Sequence, residues 1–284
     1  MILVKTVTEL RKMIEAQRSS GQQTGFVPTM GALHAGHLSL INSSVKLGLF
    51  TICSIFVNPT QFNNPDDFLK YPTTLEHDIN LLEGAGTDLL FLPDASEIYP
   101  AGYVAPHYEL GFLETVLEGK YRPGHFQGVC QVVDRLLSFV EPAHLFLGSK
   151  DYQQCMVIKK LVDDKHPGIS VHFCDTVREP DGLAMSSRNM RLNPLQRIRA
   201  VEIIRTLREI EQGAKTKAPA ELMATATGKL AAAGFRVDYV SLSDADTLIP
   251  IERWPHKGRV AVLIAAYLDD IRLIDNMVFE SPHP

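Results

Sequence analysis

The sequence predicts an α/β protein: a doubly wound parallel sheet makes up the larger first part, and a smaller α+β domain follows. Three observations predict it. Through the first half, short apolar runs alternate with longer amphipathic stretches, which is the pattern of strands joined by crossover helices. Near residue 176 the texture changes to a polar segment followed by helical sequence. Three strand-like runs come last, the final two separated only by Asp269-Asp270, and so short a turn favours antiparallel pairing. At 284 residues and 45% hydrophobic content the chain can bury two cores, so the domains are placed at residues 1–176 and 177–284.

In order along the first part, Phe26-Val27-Pro28, Thr51 to Val57, Leu89 to Leu92 and Leu145 to Leu147 read as buried strands. Leu38, Ile41 and Val45 recur at helical spacing, as do Leu75, Ile79 and Leu82, and again Val129, Val132, Val133, Leu136, Leu137 and Val140. Thr73 with Glu76 predicts a reciprocal capping box at the start of the second of these helices. In the second part the sequence predicts helices over Pro194 to Gly213 and Pro219 to Ala233. Strands are predicted over Arg236 to Leu242, Arg259 to Leu268 and Ile271 to Phe279.

A formal net charge of −5 offers no basic excess for nucleic acid or anionic lipid, so neither is expected as a partner. No stretch is long and apolar enough to span a membrane. Cys53, Cys130, Cys155 and Cys174 are widely spaced, match no zinc pattern and read as packing thiols, which predicts a reducing cytoplasmic location.

In such sheets ligands bind where strand ends lead into helix starts. The richest of these junctions is Pro28-Thr29-Met30-Gly31-Ala32-Leu33-His34-Ala35-Gly36-His37. His34 and His37 share a helix-start face beside backbone N–H groups that lack intrahelical partners, an arrangement suited to phosphate. Gly31 and Gly36 let a ligand approach the backbone, and the imidazoles can donate to oxygens that gain charge in transfer. Further along, Ser186 and Ser187 offer hydroxyls and Arg188 a fixed cation able to clamp polyphosphate. Gly182 suits a loop that closes over a nucleotide.

His34-Ala35-Gly36-His37 resembles the HIGH signature of nucleotidyltransferases and class I aminoacyl-tRNA synthetases, which hold ATP on a Rossmann-like sheet. Met185-Ser186-Ser187-Arg188 resembles their KMSKS loop. From residue 1 to about residue 280 the chain resembles the pantothenate synthetase family. Pro28 to His37, Phe56 to Phe62, Glu118 to Gly128, Gly148 to Gln154 and Asp181 to Asn189 carry that resemblance in family order.

The resemblance implies that ATP is held by Met30, Gly31, His34, Gly36, His37, Gly148, Ser149, Lys150, Asp151, Val177, Met185, Ser186, Ser187 and Arg188. It implies that Gln61 and Gln154 bind pantoate, that β-alanine is the second acid, and that the enzyme is a homodimer. His34, His37, Lys150 and Arg188 become the candidate catalytic groups, and Asp78 the candidate for Mg²⁺. Arg122 and His125 border the implied site. Two departures from the family pattern stand out: Ser149 where an acidic residue is usual, and His77 before Asp78 where one is frequent. A dinucleotide-forming nucleotidyltransferase and a silent nucleotide sensor are the competing readings. Gln61 and Gln154 weigh against the first, and retention of the whole residue set weighs against the second.

Overall fold

In a parallel sheet covered on both faces every strand residue meets a core, and neighbours along a strand belong to different cores. The computed structural model, which describes residues 1–62, 68–69 and 71–282, shows this alternation directly. Phe26, Ile52, Leu89, Phe91, Leu145 and Leu147 pack into one hydrophobic cluster, while Val27, Cys53, Leu90 and Phe146 pack into another. Every residue from Thr51 to Ile55 is buried, polar Thr51 and Ser54 included, because both faces of the sheet are covered.

By contact the chain divides into two compact units, Met1–Ser149 with Gln153–Asp175, and Lys150–Tyr152 with Thr176–Pro284. The first is built on β1 (Ile2–Val4), β2 (Thr24–Thr29), β3 (Phe50–Ile55), β4 (Leu89–Phe91), β5 (His144–Gly148) and β6 (Ser170–Cys174). These pair in the order β1-β4-β3-β2-β5-β6, every pair parallel. One cluster takes in α1 (Val7–Ser19) and α4 (His125–Val140), the other α2 (Ala35–Lys46) and α3 (Leu75–Gly84). All six apolar positions singled out on α4 are buried. After β2 the chain builds β3 and β4 on one side of it, then returns to lay β5 on the other. The switch point of this sheet therefore lies at the ends of β2 and β5, where α/β sheets open a crevice for ligands.

The capping box expected from Thr73 and Glu76 does not form. The helix starts one residue later, its N-cap is Thr74, and no side chain caps it. Thr74 Oγ1 donates instead to Asp78 Oδ1 at 3.0 Å. Two strands escape the sequence reading, β1 and β6, both at sheet edges where exposed residues interrupt the apolar signal.

The second unit holds a three-stranded antiparallel sheet in the order β7 (Phe235–Asp244), β8 (Arg259–Leu268) and β9 (Ile271–Glu280). Asp269, at φ 55, turns β8 into β9 as the short spacing predicts. The helix expected from Pro194 to Gly213 is two, α6 (Pro194–Ala200) and α7 (Glu202–Gly213), parted at Val201. With α8 (Pro219–Ala232) they complete a second core around β8, whose residues from Val260 to Ala266 are all buried. Among the described residues no helix is long and apolar enough to cross a membrane.

Candidate active site

The loop leaving β2 is held in a conformation its own residues do not prefer. Gly31 (φ 80) and Ala32 (φ 49) are both left-handed, unusual for alanine and strained without outside support. Asp78 of α3 supplies that support: the Ala32 N–H donates to Oδ2 and the Leu33 N–H to Oδ1, each at 2.9 Å. A side chain at position 31 would meet Asp78 Oδ2 and the Ile55 side chain, each at 3.1 Å, so glycine is needed there for space as well as for φ.

This arrangement gives Asp78 a structural part that its sequence context did not show. Its residue is 1% exposed, and its two oxygens accept three hydrogen bonds from Ala32, Leu33 and Thr74. Magnesium keeps several waters and seeks accessible oxygens, which a buried, engaged carboxylate does not provide. Among the described residues no group of three or more His, Cys, Asp or Glu is placed to hold a metal. Asp78 is a latch on the loop.

His34 and His37 begin α2 as a reciprocal capping pair. The Gly36 N–H donates to His34 Nδ1 at 3.1 Å, the His34 N–H donates to His37 Nδ1 at 3.3 Å, and the ring centroids lie 4.1 Å apart. A ring nitrogen that accepts carries no proton, so both neutral imidazoles are held as Nε2–H tautomers. Capping and ligand binding are thus compatible: each cap turns a ring donor outward from the backbone it satisfies.

Gln61 lies on the short 3-10 turn Pro59–Gln61 after β3. Its Nε2 donates to Met30 Sδ at 2.8 Å, bringing two predicted site residues together, and its Oε1 accepts from Asn58 Nδ2 at 3.2 Å. Asn58 is 1% exposed and also donates to the Gly128 carbonyl and accepts from the Tyr99 hydroxyl. Burial pushes the Tyr99 phenol up to about 12, so it stays a donor at any physiological pH. His125 Nδ1 lies 2.8 Å from the Gln61 carbonyl oxygen. Gly128 lets α4 pass so close to this turn that an added Cβ would collide with the Thr60 carbonyl. Sequence reasoning named Gln61 and missed Asn58, although the Asn-Pro dipeptide marks a capped turn.

Gln154 sits half-buried in the first turn of α5 (Tyr152–Lys165), and its neighbour Gln153 is the buried structural amide. Gln153 accepts from the Glu118 N–H and donates to the Leu113 and Val116 carbonyls. Arg122 stands 3.8 Å from the Glu118 carboxylate. Gly148 closes β5 and its carbonyl accepts from Cys155 Sγ, and Ser149 opens the turn Ser149–Asp151. Burial raises the Cys53 and Cys130 thiols to about 12, as befits packing thiols.

The other predicted residues belong to the second unit. Lys150 Nζ is 3.8 Å from Asp151 Oδ1, with its side chain 17% exposed. The segment after Thr176 folds back on itself: the Met185 N–H donates to the Val177 carbonyl, Arg178 pairs with Ala184, and Gly182 turns the chain at φ 97. The Val177 carbonyl is therefore engaged by Met185. Ser186 caps the next turn by accepting from the Arg188 N–H, and Asn189 Nδ2 donates to the Ala184 carbonyl. Ser186, Ser187 and Arg188 are carried on a braced loop, each partly exposed.

The family model described as pantoate-beta-alanine ligase matches residues 2–278. Pantothenate synthetase of Moorella thermoacetica is 44% identical over 99% of both chains, and that of Cytophaga hutchinsonii 42% over 98% of this chain and 99% of its own. The crystal structure of the pantothenate synthetase from Thermus thermophilus covers both chains fully with a TM-score of 0.91 at 40% identity. A Francisella tularensis pantoate-beta-alanine ligase, crystallised with beta-gamma ATP and beta-alanine, matches with a TM-score of 0.77 at 36% identity, covering 98% of this chain and 97% of its own. With similarity over essentially its whole length, on the same two-sheet architecture, the chain belongs to the pantoate–β-alanine ligase family, the pantothenate synthetases that join pantoate to β-alanine with ATP.

Proposed function

We propose that this chain joins its two acids through a pantoyl adenylate. A pantoate carboxylate oxygen attacks the α-phosphorus of ATP, forming the new P–O bond as the bond to diphosphate breaks. The amine of β-alanine then attacks the acyl carbon, the amide forms, AMP leaves with the C–O bond electrons, and the amine releases its proton. Adenylation supplies the leaving group a carboxylate lacks, and the protein's work is positioning and charge stabilisation.

The observation that carries this reading is the reciprocal cap of His34 and His37, which holds two Nε2–H donors at a helix start. These donors suit the charge that develops on phosphate oxygens during transfer. Met30, Gly31, Gly36, Gly148 and Ser149 lend backbone, Lys150 and Arg188 neutralise polyphosphate, and Ser186 and Ser187 donate hydroxyls. Asp151 takes the ribose, while Val177 and Met185 flank adenine. Gln61 and Gln154 pair with the carboxylate and hydroxyls of pantoate. ATP enters as its magnesium complex, the ion held by phosphate oxygens and water. The bound ATP analogue and β-alanine of the Francisella relative support both substrates.

The test is AMP formation from ATP and Mg²⁺ with pantoate, with and without β-alanine. AMP and amide should accumulate together only when both acids are present. AMP release indifferent to pantoate would sink the reading. The enzyme is further proposed to act as a cytoplasmic homodimer, its four thiols kept reduced by the compartment. Sedimentation should then give about twice 31.6 kDa, and a single-chain mass would refute the dimer.

A further inference from the structure

Strand β9 turns Ile271, Leu273, Met277 and Phe279 toward the second core; Asp275 shares that face and is 5% exposed, while Asn276, on the opposite face, is 6% exposed. A charge and an amide in such a place cost stability unless every polar atom is used, and apolar residues would commonly serve folding as well. Here they are heavily used. Asp275 Oδ2 and Oδ1 accept from Arg178 Nη1 and Nη2 at 2.6 and 3.0 Å, a bidentate pair. The same guanidinium donates to the carbonyls of Gly182 at 3.1 Å and Asn276 at 3.2 Å, spanning the base of the loop that leads to Ser186, Ser187 and Arg188. Asn276 Nδ2 donates to the Lys150 carbonyl at 2.8 Å, and the Asn276 N–H donates to Asp275 Oδ1. One dipeptide thus anchors two segments far apart in sequence, each bearing a cation assigned to polyphosphate.

We propose that Asp275 and Asn276 are positioning residues for the adenylation step: Asp275, through Arg178, sets the Ser186–Arg188 loop, and Asn276 sets Lys150. The proposal rests on the reading that Lys150 and Arg188 bind polyphosphate. Their effect reaches ATP through the groups they hold, Lys150 and the Ser186–Arg188 loop.

Steady-state kinetics of Asn276→Asp, which sets an acceptor against the Lys150 carbonyl at nearly constant volume, and of Asp275→Asn provide the test. Each is measured alone and combined with Lys150→Ala or Arg188→Ala. Each single variant should lower kcat/KM for ATP by roughly 10- to 100-fold and leave KM for pantoate within about twofold. Asn276→Asp should cost much less in the Lys150→Ala background, and Asp275→Asn much less in the Arg188→Ala background. Equal losses in both backgrounds, a matching rise in KM for pantoate, or wild-type kinetics would overturn the proposal. Lys150→Ala and Arg188→Ala enzymes that both keep wild-type kcat/KM for ATP would instead remove the phosphate reading beneath it. If Asp275→Asn does not fold, Asn276→Asp and the smaller Asn276→Ser carry the decision, with melting curves confirming a folded enzyme.

Discussion

His37→Ala lowers kcat/KM for ATP by about 10² to 10³, the loss expected when one donor to a developing phosphate charge is removed, or roughly 2.7–4 kcal/mol of barrier. The measurement is pantoate-dependent AMP release at saturating pantoate. Because His34 and His37 cap α2 for each other, alanine also takes away a cap, so rate alone cannot assign the cause. For His34 the two contributions are separable through His34→Asn. Asparagine is among the best N-cap residues, and should keep the melting temperature near that of wild type while removing the imidazole donor. His34→Ala should lose both, at a further cost of about 1 kcal/mol in stability. A His34→Asn enzyme with wild-type rate would reduce His34 to a helix cap.

Asp78→Ala destabilises the first unit by about 3 kcal/mol or more, because it leaves the buried N–H groups of Ala32 and Leu33 without acceptors. In a unit of this size that is a fall of roughly 6–12 °C in melting temperature. Activity should fall with it, since Ala32 is left-handed and the histidine loop loses what holds it there. Asp78→Asn, close in shape, turns an NH₂ group toward one backbone N–H and should give an intermediate loss. Magnesium titration discriminates the roles. A weakened metal site is refilled by excess Mg²⁺, whereas a broken latch is not, so activity regained at high Mg²⁺ would restore Asp78 as a metal ligand.

The legible parts of this fold are those whose signal is local. Strands β2 to β5 stand out as apolar runs because the sheet is covered on both faces. The six buried positions of α4 recur at helical spacing, and Asp269-Asp270 betrays the hairpin. Boundaries were less legible: Thr73 and Glu76 satisfy a capping pattern, yet Thr74 becomes the N-cap and turns its hydroxyl to Asp78. Edge strands β1 and β6 were illegible because exposed residues break their apolar run. In the site, Gln61 was legible through its motif, but Asn58 shows its importance only once Gly128, 70 residues away, supplies the carbonyl it meets.

By itself the sequence determined the α/β class, the antiparallel second sheet and the family, and it marked out the short motifs proposed to bind ATP and pantoate. Each depends on residues close enough along the chain for spacing to report geometry. Tertiary structure alone decided what Asp78, Asp275 and Asn276 do. The partners that decide it lie 45 and 46 residues away for Asp78, 97 for Asp275 and 126 for Asn276, separations at which no periodicity survives. A buried carboxylate can ligate an ion, pair with arginine or latch a loop. Which it does follows from the donors that folding brings within hydrogen-bonding distance.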